Sequence, residues 1–455
     1  MTAARRFAQH ALETRFEDLP PPAVQAAKTF ILDSLGVGIA GASAPGADAL
    51  LAVARNWGSR EEARVWGRSD RVSAPAAAFL NAWQMHNQEY DCLHEGAVVH
   101  ALASVLPAAP AAAEARGGVS GPALIAAVAV GADIAAGLGL ASRAGFRFFR
   151  PATAGGFGAV AAAGRILGLD RAALEAAFAW QLAQVSGTMQ AHLEGSPILP
   201  VQVGFNARAA LQSCELSAVG FPPAREVFEG AYGYLALFEG AFDLEPVLRD
   251  LGRIWRIAEF SHKPYPAGRA THGGIEGVLA LRAAHGFAPD DVADIEVAAP
   301  PLILRLVGRP PVANPQASYA RLCLAFAAAT ALRYDAVDIS HFRGDALHDP
   351  ATLALAARIR LRDDGNPDPN ALAPQSINVM LINGKRLDWH CQTMLAHPRR
   401  PLDRTRQLQK FRRCLQFSAV PLEGFRADQL IASVAQLENI DDVRSLANET
   451  AGIPR

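Results

Sequence analysis

Long alanine-rich segments, broken by single glycines and prolines, dominate roughly the first 260 residues. They cover 74–86, 101–115, 120–143, 154–168, 170–186 and 203–219. Pro20–Pro22 before the first apolar run and Ser120 before a later one are typical helix starts. Helices lined with alanine and glycine can approach one another closely, which suits a buried bundle better than a solvated surface. Hydrophobic residues make up 51% of the chain, so the sequence predicts a large all-helical domain.

The pattern changes after Phe260, where helices and strands alternate. Helices are predicted at 273–286, 319–333 and 350–357, and strands at 292–307, at ARIRLRDDGNP and on both sides of Asn383-Gly384. An Asn-Gly pair between apolar runs is a strong hairpin signal. The final 50 or so residues return to helix. We therefore expect a mainly α protein, with an all-helical domain of residues 1–262 plus 398–455 and a smaller α+β lid domain of residues 263–397.

Charge and cysteine content exclude several functional classes. The formal net charge is −1, from 43 basic and 44 acidic residues, which disfavours nucleic-acid or membrane partners.

No uninterrupted apolar run reaches ~18 residues, and the N-terminal stretch is too broken by charge for a signal peptide. The five cysteines are scattered without a C-x-x-C pair, so neither a zinc site nor a disulfide framework is indicated. We expect a cytoplasmic protein.

The densest polar cluster is HNQEYDCLHEGAVVH, residues 86–100, within an otherwise apolar region. It contains Glu89, Asp91, His94, Glu95 and His100. A metal site is one interpretation, but His94 and His100 are six positions apart, which on a helix places them on different faces. Acid/base or anion-binding use is favoured, because histidine titrates near neutrality and a carboxylate can orient its ring. A polar loop with satisfied core histidines is the remaining alternative.

A second cluster, SHKPYPAGRATHGG at 261–274, gathers His262, Lys263, Arg269 and His272 before a predicted helix. Only four of the 43 basic residues are lysines, and a lysine amine can lose its proton when buried, unlike a guanidinium. Cationic side chains beside a helix N-terminus favour an anion, with a carboxylate as the natural ligand. A solvated interdomain linker is the alternative.

A third stretch, residues 186–211, places polar side chains among glycines and prolines. They are Thr188, Gln190, His192, Ser196 and Gln202. The pattern indicates either a loop lining a cavity or an ordinary loop. No GxGxxG follows a strand, and neither GxxxxGK[ST] nor GxSxG occurs, so nucleotide-dependent chemistry is disfavoured.

These clusters, in this order, resemble the MmgE/PrpD family, which includes 2-methylcitrate dehydratase, cis-aconitate decarboxylase and iminodisuccinate epimerase. The similar segments are FILDSLGVGIAGA, NQEYDCLHEGAVVHALASVLPAA, GFGAVAAAGRILGLD, GSPILPVQVGFNARAALQSCELSAVGF, EGAYGYLALF, KPYPAGRATHGGIEGVL, SYARLCLAFAAATAL and the late Lys410-Phe411 pair. The resemblance implies a homodimer with its active site between a helical domain and an α+β lid. It also implies a small di- or tricarboxylate substrate, proton transfer next to a carboxylate, and no metal or cofactor.

Carried over by position, the resemblance assigns catalysis to His100, Asp91 and Lys263. Several family positions differ here: an aspartate is Glu89, a threonine Leu93, a histidine Arg150, a lysine and a histidine Leu199 and Gln202, and a tyrosine Phe326. His94, His192 and Arg269 instead give a pattern closer to the epimerase branch or to an uncharacterised one. The residues expected to bind substrate are Glu89, Arg150, His192, Gln202, Arg269 and His272.

The expected mechanism starts from the weak acidity of a proton next to a carboxylate. Lys263 and Arg269 would stabilise the enediolate charge, and His100, oriented by Asp91, would remove the proton. His94, His192 or Lys263 could supply a second acid/base group. A 2-methylcitrate dehydratase-like hydro-lyase, a decarboxylase, an epimerase of the iminodisuccinate epimerase type and a catalytically retired carboxylate-binding protein all stay open.

Overall fold

The computed structural model describes residues 1–145, 147–420, 422 and 424–451. The chain is 58% helical with 9% strand, which confirms the prediction of a mainly α protein with a smaller α+β part. The helices before residue 260 are Ala3–Glu13, Pro21–Gly41, Ala47–Arg55, Ala74–His86, Leu102–Arg116, Gly121–Ala141, Arg150–Leu167, Arg171–Gln184, Gln190–Glu194, Leu199–Leu216 and Glu245–Asp250. Every alanine-rich segment identified in the sequence lies largely within one of them.

Glycines allow the helices to pack at close range. A Cβ built on Gly131 would lie 2.8 Å from the carbonyl oxygen of Gly158 on the facing helix, and one built on Gly158 would lie 2.4 Å from that of Gly131. Gly41 is still tighter, because its Cβ would overlap the backbone of Gln84. These contacts require glycine, so the sequence pattern directly sets the spacing of the bundle.

Two helices, Pro21–Gly41 and Gly121–Ala141, are long and apolar enough to cross a membrane by length and composition. In the most apolar 18-residue stretch of each helix, 72% is buried inside the protein for the first helix and 89% for the second. This burial is the behaviour of core helices in a bundle, whose apolar surface faces neighbouring helices on all sides.

The α+β part contains a four-stranded sheet. Its strands are Val292–Ala299, Ile359–Asp363, Gln375–Leu381 and Arg386–Cys391. Val292–Ala299 pairs in parallel with Ile359–Asp363 on one side and antiparallel with Gln375–Leu381 on the other. Arg386–Cys391 completes the sheet through the hairpin that Asn383-Gly384 predicted. A separate two-stranded pair, Ala63–Arg64 with Arg71–Val72, lies in the helical part.

The predicted strand at 292–307 is correct only in its first half. The strand ends at Ala299, and Pro301–Val307 forms a helix. Proline favours the first turn of a helix, so the Pro300-Pro301 pair ends the strand and begins the helix. The helices after residue 260 are His272–His285, Pro301–Val307, Ala317–Arg321, Leu324–Tyr334, Gly344–Leu347, Pro350–Ala356, Arg404–Leu415, Gly424–Ala435 and Arg444–Glu449.

The buried side chains form two main cores with a cleft between them. One core draws on the helices before residue 260 and on the last three helices, and the other draws on residues 267–394. Lys410, on the helix Arg404–Leu415, anchors the returning chain: its Nζ lies 2.7 Å from Asp33 Oδ1 and donates to the Tyr90 carbonyl at 2.9 Å. The end of the chain thus contacts the polar segment at 86–100.

Gly41→Ala tests whether glycine sets the helix spacing. The added methyl would meet the Gln84 backbone at 1.9 Å, so we expect a loss of about 1–3 kcal/mol or more of unfolding free energy. Gly424→Ala is the matched control, because its Cβ meets nothing within 4 Å. Urea unfolding followed by circular dichroism measures both variants. Equal stability of the two variants would contradict the close-packing argument.

Candidate active site

A cavity with about 540 Å³ of empty space lies between the two cores. The helical part contributes His86, Glu89 and His100 to its wall, and the α+β part contributes Arg269 and Leu322. His192, of the third polar cluster, also lines it, so all three polar clusters identified in the sequence meet at one cavity.

A loop that doubles back brings His86 and His100 together. His86 is the last residue of the helix Ala74–His86, and His100 lies two residues before the next helix. Between them, Glu89 and Val98 adopt left-handed backbone conformations with φ of 50° and 51°. Such conformations are unfavourable for residues with a Cβ, and they recur where a site demands a particular chain path. His94 pairs with Val99 across the loop and closes it.

Asp91 contacts both imidazoles through one oxygen. His86 Nδ1 donates a hydrogen bond to Asp91 Oδ2 at 2.9 Å, and His100 Nδ1 lies 3.0 Å from the same oxygen. The two rings pack in an edge-to-face arrangement, with their centroids 5.0 Å apart. Asp91 is fully buried; its hydrogen bond orients the His86 ring, and its charge lies within ion-pairing distance of the His100 ring. Because the Nδ1 atom of each histidine faces Asp91, the Nε2 atom is the ring nitrogen that a ligand in the cavity could contact.

The pKa values of the two imidazoles move in opposite directions. Burial alone would lower the pKa of His86, but Asp91 and Glu89 together raise it above its usual value. Burial, aided by the charge of Lys263, lowers the pKa of His100 despite Asp91. Burial opposes ionisation of Asp91, yet the two histidines hold its pKa well below the usual range. A pair pushed apart in this way can divide the acid and base roles.

The same three residues bring three possible ligand atoms within 4.8 Å of one another, so they could hold a metal ion. The 2.9 Å contact between His86 and Asp91 has the length of an N–H···O hydrogen bond. In that arrangement the nitrogen carries a proton and has no lone pair for a metal. The prediction of a site without metal remains a prediction.

Lys263 lies beneath Glu89 rather than on the cavity wall. Its Nζ is 3.0 Å from Glu89 Oε2 and donates to the Glu89 carbonyl at 3.1 Å, and the lysine is fully buried. Burial opposes ionisation of Glu89, but Lys263, His86 and His100 lower its pKa to about 2. Glu89 is therefore a carboxylate at neutral pH, and Lys263 neutralises it.

Arg269 reaches the cavity with its charge already paired. Its Nε and NH2 donate to Glu95 Oε1 at 3.0 and 2.8 Å, and its third nitrogen donates to the Leu395 carbonyl at 2.8 Å. Arg269 thus lines the cavity as a paired cation, and its expected stabilisation of an enediolate stays a prediction. His272 is misassigned as a substrate ligand, because one ring nitrogen faces Arg269 and the other the Ala267 carbonyl.

Three further sequence candidates lie outside the cavity. His94 Nε2 is bound to Glu259 at 3.0 Å, and its other ring nitrogen accepts from the Ala97 amide. Gln202 makes two hydrogen bonds with the Thr188 backbone. Arg150 is completely buried and ion-paired with Glu239 at 2.7 Å. All three side chains are thus bonded to partners within the protein: His94 to Glu259 and a backbone amide, Gln202 to backbone, and Arg150 to Glu239. Their assignment to catalysis or substrate binding is therefore corrected.

His192 does line the cavity, from the short helix Gln190–Glu194. Burial and the neighbouring Arg309 lower its pKa to about 4, so its imidazole is neutral at physiological pH. Arg309 donates to the His192 carbonyl at 2.6 Å. Of the polar side chains named in the third sequence cluster, this histidine alone lines the cavity among the described residues, beside Met189 of the same stretch.

His86 is the cavity-lining residue that the sequence reasoning did not single out. It begins the polar cluster, but it ends a helix that is mostly apolar, so it reads as a core histidine. Its five-residue separation from Asp91 was the available signal, because a chain leaving a helix can turn back over that distance.

Residues 5–247 match the sequence model of the MmgE/PrpD N-terminal domain, and residues 265–434 match that of the MmgE/PrpD C-terminal domain. The chain therefore belongs to the MmgE/PrpD family, as the resemblance indicated.

Curated relatives match over almost the whole chain. Cis-aconitate decarboxylase of Mus musculus is 25% identical over 94% of this chain and 89% of the relative. Cis-aconitate decarboxylase-like protein oryM of Aspergillus oryzae is 27% identical over 95% and 94%, respectively. The Homo sapiens cis-aconitate decarboxylase is 25% identical over 94% and 90%.

Removing the lysine of the buried pair tests its role. Lys263→Met leaves the Glu89 carboxylate buried and uncompensated, so we expect a loss of about 3–5 kcal/mol at pH 7. Adding Glu89→Gln should restore part of that loss. Because the pKa of Glu89 falls from 4.5 to about 2, the contribution of the pair is complete above pH 4.5 and disappears as the pH falls through 2.

Urea unfolding across this pH range measures the effect. Lys28→Met is the control, because Lys28 pairs with the partly exposed Glu438, and such pairs contribute about 1 kcal/mol or less. A Lys263→Met variant as stable as this control would refute the buried-pair assignment.

Proposed function

We propose that this chain is a lyase that moves a proton on the carbon next to a carboxylate of a small di- or tricarboxylate. The observation that supports this most strongly is the pair of cavity-lining imidazoles held on the buried Asp91 carboxylate. Family membership and the names of the relatives support the same reaction class.

His100 acts as the base in this proposal, and His86 acts as the acid. The pKa of His100 is lowered, so its Nε2 is free to accept a proton at neutral pH. The pKa of His86 is raised, and its Nε2 lies 3.8 Å from Glu89 Oε1, so two carboxylates favour the imidazolium. Asp91 keeps both Nδ1 atoms protonated, which directs Nε2 of each ring toward the substrate.

In a dehydration, His100 Nε2 takes the proton from the carbon, and the C–H electron pair forms the new C=C bond. The C–O bond breaks, and the proton of His86 joins the departing hydroxide to give water. In a decarboxylation, the C–C bond to the leaving carboxylate breaks and carbon dioxide departs. Its electron pair moves through the adjacent C=C bond, and His86 protonates the carbon at the far end.

Decarboxylation of an unsaturated tricarboxylate is the first reaction to test, because the three relatives described above carry cis-aconitate decarboxylase in their names. Epimerisation is the second candidate. It needs an acid/base group on each face of the substrate, and His192, on a different segment from His86 and His100, lines the same cavity. The location in the cytoplasm and the homodimer stay predictions.

Isotope exchange separates these reactions. Purified protein is incubated in heavy water with cis-aconitate, 2-methylcitrate and iminodisuccinate, and the products are analysed by mass spectrometry. Loss of carbon dioxide with one deuterium incorporated into the product supports a decarboxylase, and loss of water without deuterium in the product supports a hydro-lyase. Exchange without net mass loss supports the epimerase. Binding without exchange or mass loss across the panel would refute catalysis and favour a carboxylate-binding protein. Prior dialysis against EDTA should leave turnover unchanged if no metal participates.

Substitution of the imidazoles tests their roles. His86→Gln is expected to lower kcat at least about 100-fold in a dehydration or a decarboxylation, because it removes the acid. His100→Gln should cause a similar loss in a dehydration, which needs the base, and a smaller loss in a decarboxylation, which does not. His10→Gln is the matched control, since His10 forms a similar buried pair with Asp133 at 3.2 Å, away from this cavity. Normal dehydration by His100→Gln would overturn its assignment as the base.

The pH profile provides an independent check. In a dehydration, activity should fall on the acid side as His100 becomes protonated, below its ordinary value of 6.5, because its pKa is lowered. Activity should also fall on the alkaline side as His86 loses its proton, above 6.5, because its pKa is raised. The expected kcat/KM profile is a bell with limbs on both sides of 6.5. His86→Gln should lose the alkaline limb, and an unchanged profile would contradict the acid role.

A further inference from the structure

A second, outer cavity adjoins the catalytic one. It encloses about 1420 Å³ of empty space including its open mouth, and it shares His86, Glu89 and Leu322 with the inner cavity. A molecule bound at the two histidines can therefore extend directly into it. Arg321 and Arg343, which the sequence reasoning did not single out, contribute to its wall.

Arg321 is a buried cation without a carboxylate partner. It is 5% exposed, and among the described residues no carboxylate oxygen lies within ion-pairing distance. Its NH2 donates to the neutral amide of Gln88 at 2.6 Å, its NH1 contacts the Asn87 carbonyl at 3.4 Å, and its Nε has no partner. A buried charge normally has an opposite charge nearby, because its desolvation is costly.

Arg343 lies on the wall of the same cavity and is also incompletely paired. Its NH1 donates to Ser43 Oγ at 3.1 Å, while its Nε and NH2 are buried without partners in the described part of the chain. The guanidinium groups of Arg321 and Arg343 stack over Phe342 and Phe417, with 5.1 and 5.2 Å to the ring centroids. Stacking holds both groups in place, and it leaves Nε of Arg321 and Nε and NH2 of Arg343 buried without a partner among the described residues.

The charge of the catalytic centre explains why these donors matter. The carboxylates of Asp91 and Glu89 face the cations Lys263 and His86, so the centre is close to neutral. Such a centre does not by itself attract a substrate with two or three negative charges. Burial and the charge of Arg343 lower the pKa of Arg321 to about 9, so Arg321 remains a cation at neutral pH.

We propose that Arg321 and Arg343 form a carboxylate subsite, which binds the non-reacting carboxylate of a di- or tricarboxylate whose reacting carbon lies at His86 and His100. The proposal rests on the proposed function for the reacting end of the substrate. It assigns selection of polycarboxylates over monocarboxylates to the outer cavity. Nε and NH2 of Arg343, which have no partner among the described residues, form the fork from which a carboxylate accepts two N–H bonds, and Nε of Arg321 adds a third donor.

Binding of an unreactive probe tests the subsite without relying on turnover. Tricarballylate, a saturated tricarboxylate, and propionate, a monocarboxylate, are titrated into the full chain by isothermal calorimetry. Arg321→Gln and Arg343→Gln should each weaken tricarballylate binding at least tenfold and leave propionate binding within about threefold. Arg321→Lys should recover part of the loss. Arg165→Gln, which removes a half-buried arginine bonded to the Ala11 carbonyl, is the matched control and should bind like the parent.

Thermal melting verifies that each variant is folded, and Arg343→Gln serves as the second probe if Arg321→Gln fails to fold. Unchanged tricarballylate binding in both folded variants would overturn the subsite, as would equal weakening of propionate. Sulfate binding as tightly as tricarballylate would show a general anion site and also overturn it. Selective weakening of tricarballylate with no turnover of any substrate would support the subsite while contradicting the proposed reaction.

Discussion

A buried ion pair joins the two sides of the cleft. Lys263 follows directly from the last segment of the helical part, and Glu89 lies in the loop that carries the catalytic candidates. Their contact neutralises a carboxylate that would otherwise be too costly to bury, and the same lysine holds the Glu89 carbonyl. The loop, the two imidazoles and the cavity depend on this pair, because Glu89 is the residue at which the chain turns back toward His100.

The loop concentrates unfavourable features that a purely structural loop would avoid. Glu89 and Val98 have positive φ, a carboxylate is fully buried at Asp91, and two imidazoles share one oxygen. Each feature costs free energy, and the helices on both sides supply the rigid packing that maintains it. The two imidazoles are therefore held in place without a ligand, and in the proposed reaction this would lower the reorganisation needed during proton transfer.

Much of the fold could be predicted, because helical periodicity, alanine content and the Asn383-Gly384 turn are local signals. The polar cluster and the buried lysine were also visible locally. The ion-pair partners of the arginines were not visible locally. Arg269 pairs with Glu95, and Arg150, expected to bind substrate, pairs with Glu239. Those partners lie 174 and 89 residues away in sequence, so no local pattern could reveal them. His86 was not singled out because it ends a mostly apolar helix, a position typical of a core histidine.

The bond between Lys410 and the Tyr90 carbonyl has a consequence for biosynthesis. The catalytic loop is synthesised within the first quarter of the chain, yet one of its supports belongs to a helix that begins at Arg404. A ribosome-bound chain therefore carries an unfinished site until translation is nearly complete. Premature termination before that helix would release a protein with most of its core and an unsupported centre.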